Sequence, residues 1–255
     1  MKNSINDVVV SGEKTFLVEK YLYASDKERL ANLVNNMAEE ALKSVVKAVE
    51  SFNEASDSKA GSVIEGDDII DALEEKIDQE CLYSIAMRQP MREDLRFVYA
   101  VTKIITDLER IGDQGVNIAK CTLNLSKIEK TEKSLYFNEI KPILDEIFSM
   151  CSQIEFMFKE LKIAFDNEDE DKAHEVMQMN SVYHKTGDKA VKDLVVFASC
   201  KNLPEILDIF TNVLWIIRHL DRIGDHIMNI AERICFIVTG VTSESLKKKK
   251  RLMPV

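Results

Sequence analysis

Apolar residues recur along much of this chain at intervals of three and four, the spacing that places them on one face of an α-helix. The first such stretch opens with Ser25 and Glu28, which form a capping box typical of a helix N-terminus. Its apolar face then consists of Leu30, Val34, Met37, Ala41, Val45, Ala48 and Phe52. We predict a helix that begins near Ser25 and is interrupted by the polar stretch 53–62.

Two more helices follow in the first half of the chain. The second is predicted to end near Gln89 and Pro90, because a proline disfavours helical geometry in the residue before it. The third is predicted over about residues 91–126. The core faces of these helices are predicted to carry Ile70, Leu73, Ile77, Cys81 and Ile85 in the second, and Ile105, Leu108, Gly112, Val116 and Ala119 in the third.

The second half repeats the same plan. A fourth helix over about 137–165 tolerates Pro142 only in its first turn, a fifth spans about 169–199, and a sixth opens at Pro204 and ends near Gly240. The β-branched run 8–10 resembles a strand but is too short to change the fold class. The pattern predicts an all-α protein with six helices in two pseudo-symmetric three-helix bundles, one in residues 1–130 and one in residues 131–255.

A repeated motif supports this division into two halves. The motif Glu109-Arg110-Ile111-Gly112-Asp113, followed by Asn117-Ile118-Ala119, returns 112 residues later as Asp221-Arg222-Ile223-Gly224-Asp225, followed by Asn229-Ile230-Ala231. Such a repeat indicates two copies of one structural unit. Within each copy an acid, an aspartate and an asparagine lie at four-residue intervals, along one face of a helix.

Composition narrows the class of protein. Gly and Pro number only 8 and 4 of 255 residues while 31% of residues are charged, as expected of long amphipathic helices. The net charge of −10 disfavours a nucleic-acid-binding surface. The basic tail 247–251 is either a solvated chain end or a contact with an anionic membrane surface.

The sequence also predicts a compartment. It contains no long uncharged apolar stretch and no signal-peptide pattern, so we expect a cytoplasmic protein that reaches a membrane only through its partners. The cysteines show no CxxC spacing and are expected to be small buried hydrophobic residues of a reducing compartment. They are Cys81, Cys121, Cys151, Cys200 and Cys235.

The acids of the repeat are candidates for a cation site. Glu109 and Asp113 each directly follow a core position of the third helix, and Glu74 and Asp78 do the same in the second. Packing of these helices would place four carboxylates on one surface, where crowded charge must be compensated or protonated. Oxygen ligands of this kind favour hard cations or iron. The alternative is that the arginine of each motif forms ordinary surface ion pairs with aspartates three residues away.

The glycines and asparagines of the motif can each be explained in more than one way. Gly112 and Gly224 each cost about 1 kcal/mol relative to Ala inside a helix, which indicates close helix approach or a kink. Asn117 and Asn229 are predicted either to bond a neighbouring helix or to support a metal ligand. The histidines lack the spacing of di-iron bundles, and no phosphate loop or nucleophile turn occurs, so the sequence predicts no enzyme.

With these residues in view, the chain from about residue 28 to 240 resembles the PhoU family, the accessory proteins of bacterial high-affinity phosphate transport. The most specific matches are residues 106–113, the preceding 88–90 with 94–96, and 221–226 continuing to 229–232. The resemblance implies a PhoU-like pair of three-helix bundles, a homodimer, and acidic pairs that bind metal ions. Iron or zinc is expected first, with magnesium or manganese as alternatives.

The ligands implied by the resemblance, taken over by position, are Glu74 with Asp78, Glu109 with Asp113, and Asp221 with Asp225. The fourth pair depends on the offset between the halves. An offset near 110 gives His184 and Asp188, whereas an offset of 113, which aligns the core residues better, gives Gly187 and Val191. Under the second offset the site in the second half is incomplete or differently ligated.

The resemblance also implies a function. It predicts a non-enzymatic regulator that represses phosphate-starvation signalling by linking a phosphate ABC transporter ATPase to a sensor histidine kinase. One alternative is a metal-dependent hydrolase that acts on a phosphate compound through metal-bound water. Another is a soluble domain related to sodium-phosphate cotransporters, which the missing membrane segment and the near-complete match to a stand-alone protein disfavour.

Overall fold

The structure, a computed structural model, describes residues 4–128 and 136–242, with side chains from residue 24 onward except that of residue 203. These residues form seven long or medium α-helices and no strand. The helices are α1 Ser4–Asn53, α2 Asp57–Glu65, α3 Asp67–Arg88, α4 Glu93–Leu125, α5 Lys141–Asn167, α6 Glu170–Ser199 and α7 Leu203–Thr239. The predicted all-α class is confirmed. The basic tail 247–251 and the predicted boundary between residues 130 and 131 lie outside the described residues.

The helix count differs from the predicted six because the polar stretch after α1 contains a short helix of its own. The Ser56 side chain accepts a hydrogen bond from the backbone N–H of Lys59 and caps α2. Ala60 and Val63 are buried by this helix. The interruption predicted over residues 53–62 is therefore only three residues long.

The predicted start of the first helix at Ser25 was also wrong, since α1 runs on from Ser4. The helix continues on the N-terminal side of Ser25, so Ser25 and Glu28 lie inside it and do not begin it. The adjacent Asp26 accepts a hydrogen bond from Arg88 of α3, at 2.8 Å, and a second from Arg29 at 3.2 Å. This part of α1 is thus joined to α3.

Most other helix ends follow the local chemistry of the sequence. Gln89 caps α3 with a positive φ of 48°, directly before Pro90. Gly240 caps α7 with a φ of 70°, a conformation that glycine adopts at low cost. Pro142 and Pro204 lie in the first turns of α5 and α7, as predicted.

The helices pack as two three-helix units. Helices α1, α3 and α4 contact one another and form the first unit, with α2 packed onto α1 and α4. Helices α5, α6 and α7 form the second unit. The units meet chiefly where α4 packs along α7, and α1 also contacts α5. Within the described residues, none of the helices combines the length and apolar composition needed to cross a bilayer.

The predicted core faces are largely confirmed. Every apolar position predicted for α1 from Leu30 to Phe52 is buried, as are those of α4. Ile85 of α3 was predicted wrongly and is 39% exposed, while Ser84 is buried in its place. The predicted positions Ile77, Cys81 and Ile85 are four residues apart, and each step of four turns about 40° beyond a full turn because the helix has 3.6 residues per turn. Two such steps place Ile85 outside the buried face.

The cysteines are all free thiols, but their burial was predicted only in part. Cys81, Cys121 and Cys151 are buried, as expected of small hydrophobic residues. Cys235 is half-buried and Cys200 is exposed. Cys200 follows the last residue of α6, where the chain leaves the core, so spacing along a helix face no longer decides its burial.

Candidate metal centre and its counterpart in the second half

The two motif glycines lie at equivalent close contacts. A Cβ added to Gly112 of α4 would come within 2.7 Å of the Ile70 side chain of α3. A Cβ added to Gly224 of α7 would come within 2.5 Å of the Tyr183 ring of α6. Close helix approach, rather than a kink alone, therefore accounts for both glycines. Tyr183 also donates a hydrogen bond from its hydroxyl to the Leu220 carbonyl.

These contacts decide the register between the halves. Gly112 and Gly224 are 112 residues apart, and the residues they touch, Ile70 and Tyr183, are 113 apart. Helix α6 therefore matches α3 with the larger offset. Under it, Gly187 occupies the position of Glu74, and His184 occupies that of an aspartate, Asp71.

A crowded set of carboxylates lies where α3 and α4 meet. Burial, followed by the negative charges of Asp113, Glu74 and Asp71, raises the pKa of Glu109 to about 7, against the opposing charge of Arg110. Glu74 and Asp113, both predicted from the sequence, therefore lie close enough to Glu109 for their charges to act on it.

The other members extend the set in both directions along α3. Burial raises the pKa of Glu74, and Asp71 and Asp78 add to the shift, while the hydroxyl of Thr106 and the charge of Arg110 oppose it. Burial also raises the pKa of Asp67, with Asp71 and Asp113 as further causes. We call these six acids the first cluster: Asp67, Asp71, Glu74, Asp78, Glu109 and Asp113.

Sequence reasoning missed Asp67 and Asp71. Both lie on α3 one and two turns before the predicted Glu74. The signal that would have found them is their spacing, because Asp67, Asp71, Glu74 and Asp78 follow one another at intervals of four, three and four along one face of α3.

The first cluster has the chemistry of a hard-cation site, since all its donors are carboxylate oxygens. In the observed side-chain conformers, no three Asp, Glu, His or Cys side chains among residues 24–128 and 136–242 converge on a single point. Ligation of an ion would therefore require a rearrangement of side chains, and Asp71, Asp78 and Asp113 are exposed. The ligand assignment stays a prediction.

The second motif is arranged differently. His184 Nδ1 lies 2.5 Å from Asp221 Oδ1, and His184 Nε2 lies 3.2 Å from Asp225 Oδ1. Asn180 Nδ2 is 3.1 Å from the same Nε2 atom. We call these four residues the second cluster. Asp188, the remaining predicted ligand, is exposed and pairs with no described side chain.

The surface ion pairs that offered an alternative reading of the motif do not form among the described side chains. Arg110 bonds neither Asp107 nor Asp113, and Arg222 does not bond Asp225. Instead, Asp107 is buried between the two units.

Two histidines of α7 form hydrogen bonds with α4 in this buried region. His226 Nδ1 lies 2.8 Å from Asp107 Oδ1, and His219 Nδ1 lies 2.8 Å from Gln114 Oε1. Position 219 is 112 residues after 107, and 226 is 112 after 114, so the two bonds are related by the repeat. Burial lowers the pKa of His219 to about 4, with Arg222 as a further cause.

The two asparagines of the motif differ in their contacts. Asn229 donates a hydrogen bond to Asp107 at 3.1 Å, and so bonds the neighbouring helix. Asn117 is half-buried and has no corresponding partner among the described side chains. The two copies of the motif thus keep the same residue at this position but differ in its hydrogen bonding.

The fold and the site define a two-repeat, all-α protein in which α4 and α7 carry the motif carboxylates of the two units. A family model described as the PhoU domain matches residues 34–122 and again residues 147–234. The chain therefore belongs to the PhoU family. The two matches fall in the first and the second unit respectively, as the internal repeat requires.

Curated relatives and solved structures agree with this assignment. A phosphate-specific transport system accessory protein PhoU homolog of Pseudomonas aeruginosa is 34% identical over 198 residues, covering 78% of this chain and 77% of that protein. A homolog from Clostridium acetobutylicum is 30% identical over 221 residues, covering 86% and 95%. A crystal structure of PhoU from Pseudomonas aeruginosa aligns with a TM-score of 0.67 at 29% identity, over 89% of this chain and 100% of that one.

A second solved structure supports the fold alone. The phosphate transport system regulatory protein PhoU from Streptococcus pneumoniae aligns with a TM-score of 0.76, over 86% of this chain and 98% of that one, at 23% identity.

Proposed function

We propose that this protein is a cytoplasmic accessory protein of phosphate-specific transport, which represses phosphate-starvation signalling by linking a phosphate ABC transporter ATPase to a sensor histidine kinase. The observation that carries the proposal is the match to proteins of that name over most of both lengths, including 95% of the Clostridium acetobutylicum homolog. Both repeat units lie within the matched region. We further propose that the protein acts as a homodimer, as the family resemblance implies.

Deletion of the gene in its host tests this role. Transcription of phosphate-regulated genes is expected to rise in phosphate-rich medium, and a plasmid copy of the wild type should restore repression. A plasmid copy carrying Gly61→Ala serves as a matched control, because a Cβ at Gly61 meets no atom within 4 Å. Unchanged transcription in the deletion strain would reject the regulatory role. Co-purification with the transporter ATPase and with the kinase separately would test the proposed link between them.

We also propose that the first cluster binds metal ions, with Glu74, Glu109 and Asp113 as principal ligands and Asp71 and Asp78 beside them. The support is chemical. Burial, together with the charges of Asp113, Glu74 and Asp71, raises the pKa of Glu109 to about 7, and an entering cation would offset the repulsion among these carboxylates. Iron or zinc is expected, with magnesium or manganese as alternatives. Elemental analysis of protein purified without a metal-affinity tag identifies the ion.

The hydrolase alternative is tested on the same preparation. Protein loaded with Mn²⁺ is incubated with a phosphomonoester, and no turnover is expected above that of the free ion. Turnover that follows metal loading and disappears in Glu109→Ala would instead favour an enzyme that uses metal-bound water.

A further inference from the structure

We propose that this protein holds cations in its first unit only, because in the second unit the side chains of His184 and Arg218 occupy the place of the ion. The inference for the first unit rests on the metal site proposed above, whereas the contacts of α6 and α7 in the second unit do not depend on it. The sequence predicted paired metal sites, one in each unit, and the second unit differs from that prediction.

The two units differ at most positions of the first cluster. With the offset of 113 between α3 and α6, and 112 between α4 and α7, each member of the first cluster has a counterpart. The six carboxylates Asp67, Asp71, Glu74, Asp78, Glu109 and Asp113 correspond to Asn180, His184, Gly187, Val191, Asp221 and Asp225. Helix α6 therefore supplies no carboxylate to the second cluster, and only the two aspartates of α7 remain.

The ring of His184 lies between these two aspartates. One ring nitrogen is 2.5 Å from Asp221 Oδ1 and the other is 3.2 Å from Asp225 Oδ1. An ion that bridged the same two oxygens would have to take the space of the ring. His184 is also fixed from its own helix, because Asn180 lies 3.1 Å from its Nε2 atom and is itself only 3% exposed.

The other side of Asp221 is also occupied. Arg218 Nη1 lies 3.5 Å from Asp221 Oδ2, so each carboxylate oxygen faces a nitrogen. In the first unit the position of Arg218 is held by Thr106, which carries no charge. The cation that neutralises the motif acid in the second unit is thus part of the protein.

Space beside Asp221 is limited on the α6 side. A Cβ at Gly187 would lie 3.4 Å from Asp221 Oδ1 and 3.1 Å from the end of the Met150 side chain. Gly187 itself has no side chain, so α6 offers no carboxylate oxygen where α3 carries Glu74. The imidazole of His184 is the remaining donor on this helix, and it is already engaged by both aspartates.

Matched amide variants test the proposal, since they keep side-chain size and remove charge. Equilibrium dialysis against Mn²⁺, followed by elemental analysis, is applied to the wild type, to Glu109→Gln/Asp113→Asn and to Asp221→Asn/Asp225→Asn. Bound Mn²⁺ is expected to fall at least tenfold in the first variant and to stay within about twofold of wild type in the second. Equal loss in both variants would overturn the proposal.

Thermal melts in excess chelator test the second unit independently of metal binding. If His184 and Arg218 bind the aspartates of α7, then Asp221→Asn/Asp225→Asn should melt at least about 2 °C below wild type. Glu109→Gln/Asp113→Asn should melt no lower than wild type, because it relieves repulsion among carboxylates. A second-unit variant as stable as wild type in chelator would overturn the proposal.

The two measurements separate the possible failures. If wild type binds no Mn²⁺ but the melts differ as expected, the metal site of the first unit is rejected and the pairing of the aspartates with His184 and Arg218 in the second unit stands. If wild type binds Mn²⁺ and only Asp221→Asn/Asp225→Asn abolishes it, the assignment of the two units is reversed and the proposal fails.

Discussion

At the scale of single residues, two glycines, which have no side chain, determine how closely the helices of each unit approach. Gly112 admits the tip of Ile70, and Gly224 admits the ring of Tyr183. The two contacts differ in how easily they yield. The end of an isoleucine side chain can rotate away, whereas Tyr183 is fully buried and its hydroxyl is held by the Leu220 carbonyl.

We expect the three substitutions Gly61→Ala, Gly112→Ala and Gly224→Ala to rank in that order of decreasing stability. Alanine gains about 1 kcal/mol over glycine inside a helix, and Gly61 of α2 meets no atom that would offset the gain. Overpacking costs about 1–3 kcal/mol, so after the gain in helix propensity Gly224→Ala should be destabilised by up to about 2 kcal/mol net. Gly112→Ala should lie near wild type.

Urea unfolding followed by circular dichroism measures these differences. Gly61→Ala acts as the control, because it changes helix propensity without changing a contact. A Gly224→Ala variant as stable as Gly61→Ala would show that the Tyr183 contact is not close in solution.

At the scale of helices, the contact between α4 and α7 combines apolar packing with buried polar pairs. Asp107 is 8% exposed and bonds both His226 and Asn229 of α7, and Gln114, also 8% exposed, bonds His219. Buried polar groups are costly unless they are paired. The pairs therefore favour one alignment of the two helices over others.

A double-mutant cycle on Asp107→Ala and His226→Ala should measure a coupling free energy of about 1–2 kcal/mol, because the bond is shielded from water and either single change leaves a buried polar group unpaired. The exposed pair Lys43 and Glu40 within α1 gives the control cycle, at about 0.5 kcal/mol or less. Equal coupling in the two cycles, measured by denaturant unfolding, would argue against a structural role for the buried pair.

At the scale of the whole molecule, the two units share apolar surface. The rings of Phe97 in α4 and Phe165 in α5 stack at 6.0 Å, and Tyr99 meets Phe236 of α7 edge-on at 6.1 Å. A further apolar cavity between the units is lined by Leu108, Phe158 and other residues of both units. Separation of the units would expose these surfaces to water.

We therefore expect the full chain to unfold in one cooperative transition, although its sequence contains two repeats. In calorimetry the van't Hoff and calorimetric enthalpies should agree. The isolated fragment 1–128 is expected to bind a hydrophobic dye that the full chain does not bind. Two resolved transitions in the full chain would contradict this expectation.

Metal removal should lower the melting temperature of the whole molecule if the first cluster binds a cation. A ligand bound only by the folded state contributes about 2.7 kcal/mol at a hundredfold excess over its Kd. For a chain of this size, 1 kcal/mol corresponds to a shift of about 2–4 °C. The expected shift is measured by melting the wild type with Mn²⁺ and then with chelator. A melt indifferent to both would reject a stabilising metal site.

The sequence by itself determined the helices and the doubling. Apolar periodicity predicted the core of α1 from Leu30 to Phe52, and Pro142, Pro204 and Gly240 marked helix ends, because these features depend on residues within a turn or two of one another. The two units were also visible in the sequence, because the same short motif occurs twice, 112 residues apart. Glycine at positions 112 and 224 indicated that another helix lies close by, but it did not identify the residue in contact.

Only the tertiary structure decided which residues meet across helices. A shift of three residues separates the offsets 110 and 113, and single-helix periodicity tolerates both, since three and four residues each complete about one turn. The contacts of Ile70 and Tyr183 selected 113, and so placed His184 at the position of Asp71 and Gly187 at that of Glu74. Whether a carboxylate faces another carboxylate or an imidazole depends on the packing of two helices, and no pattern within one helix fixes that.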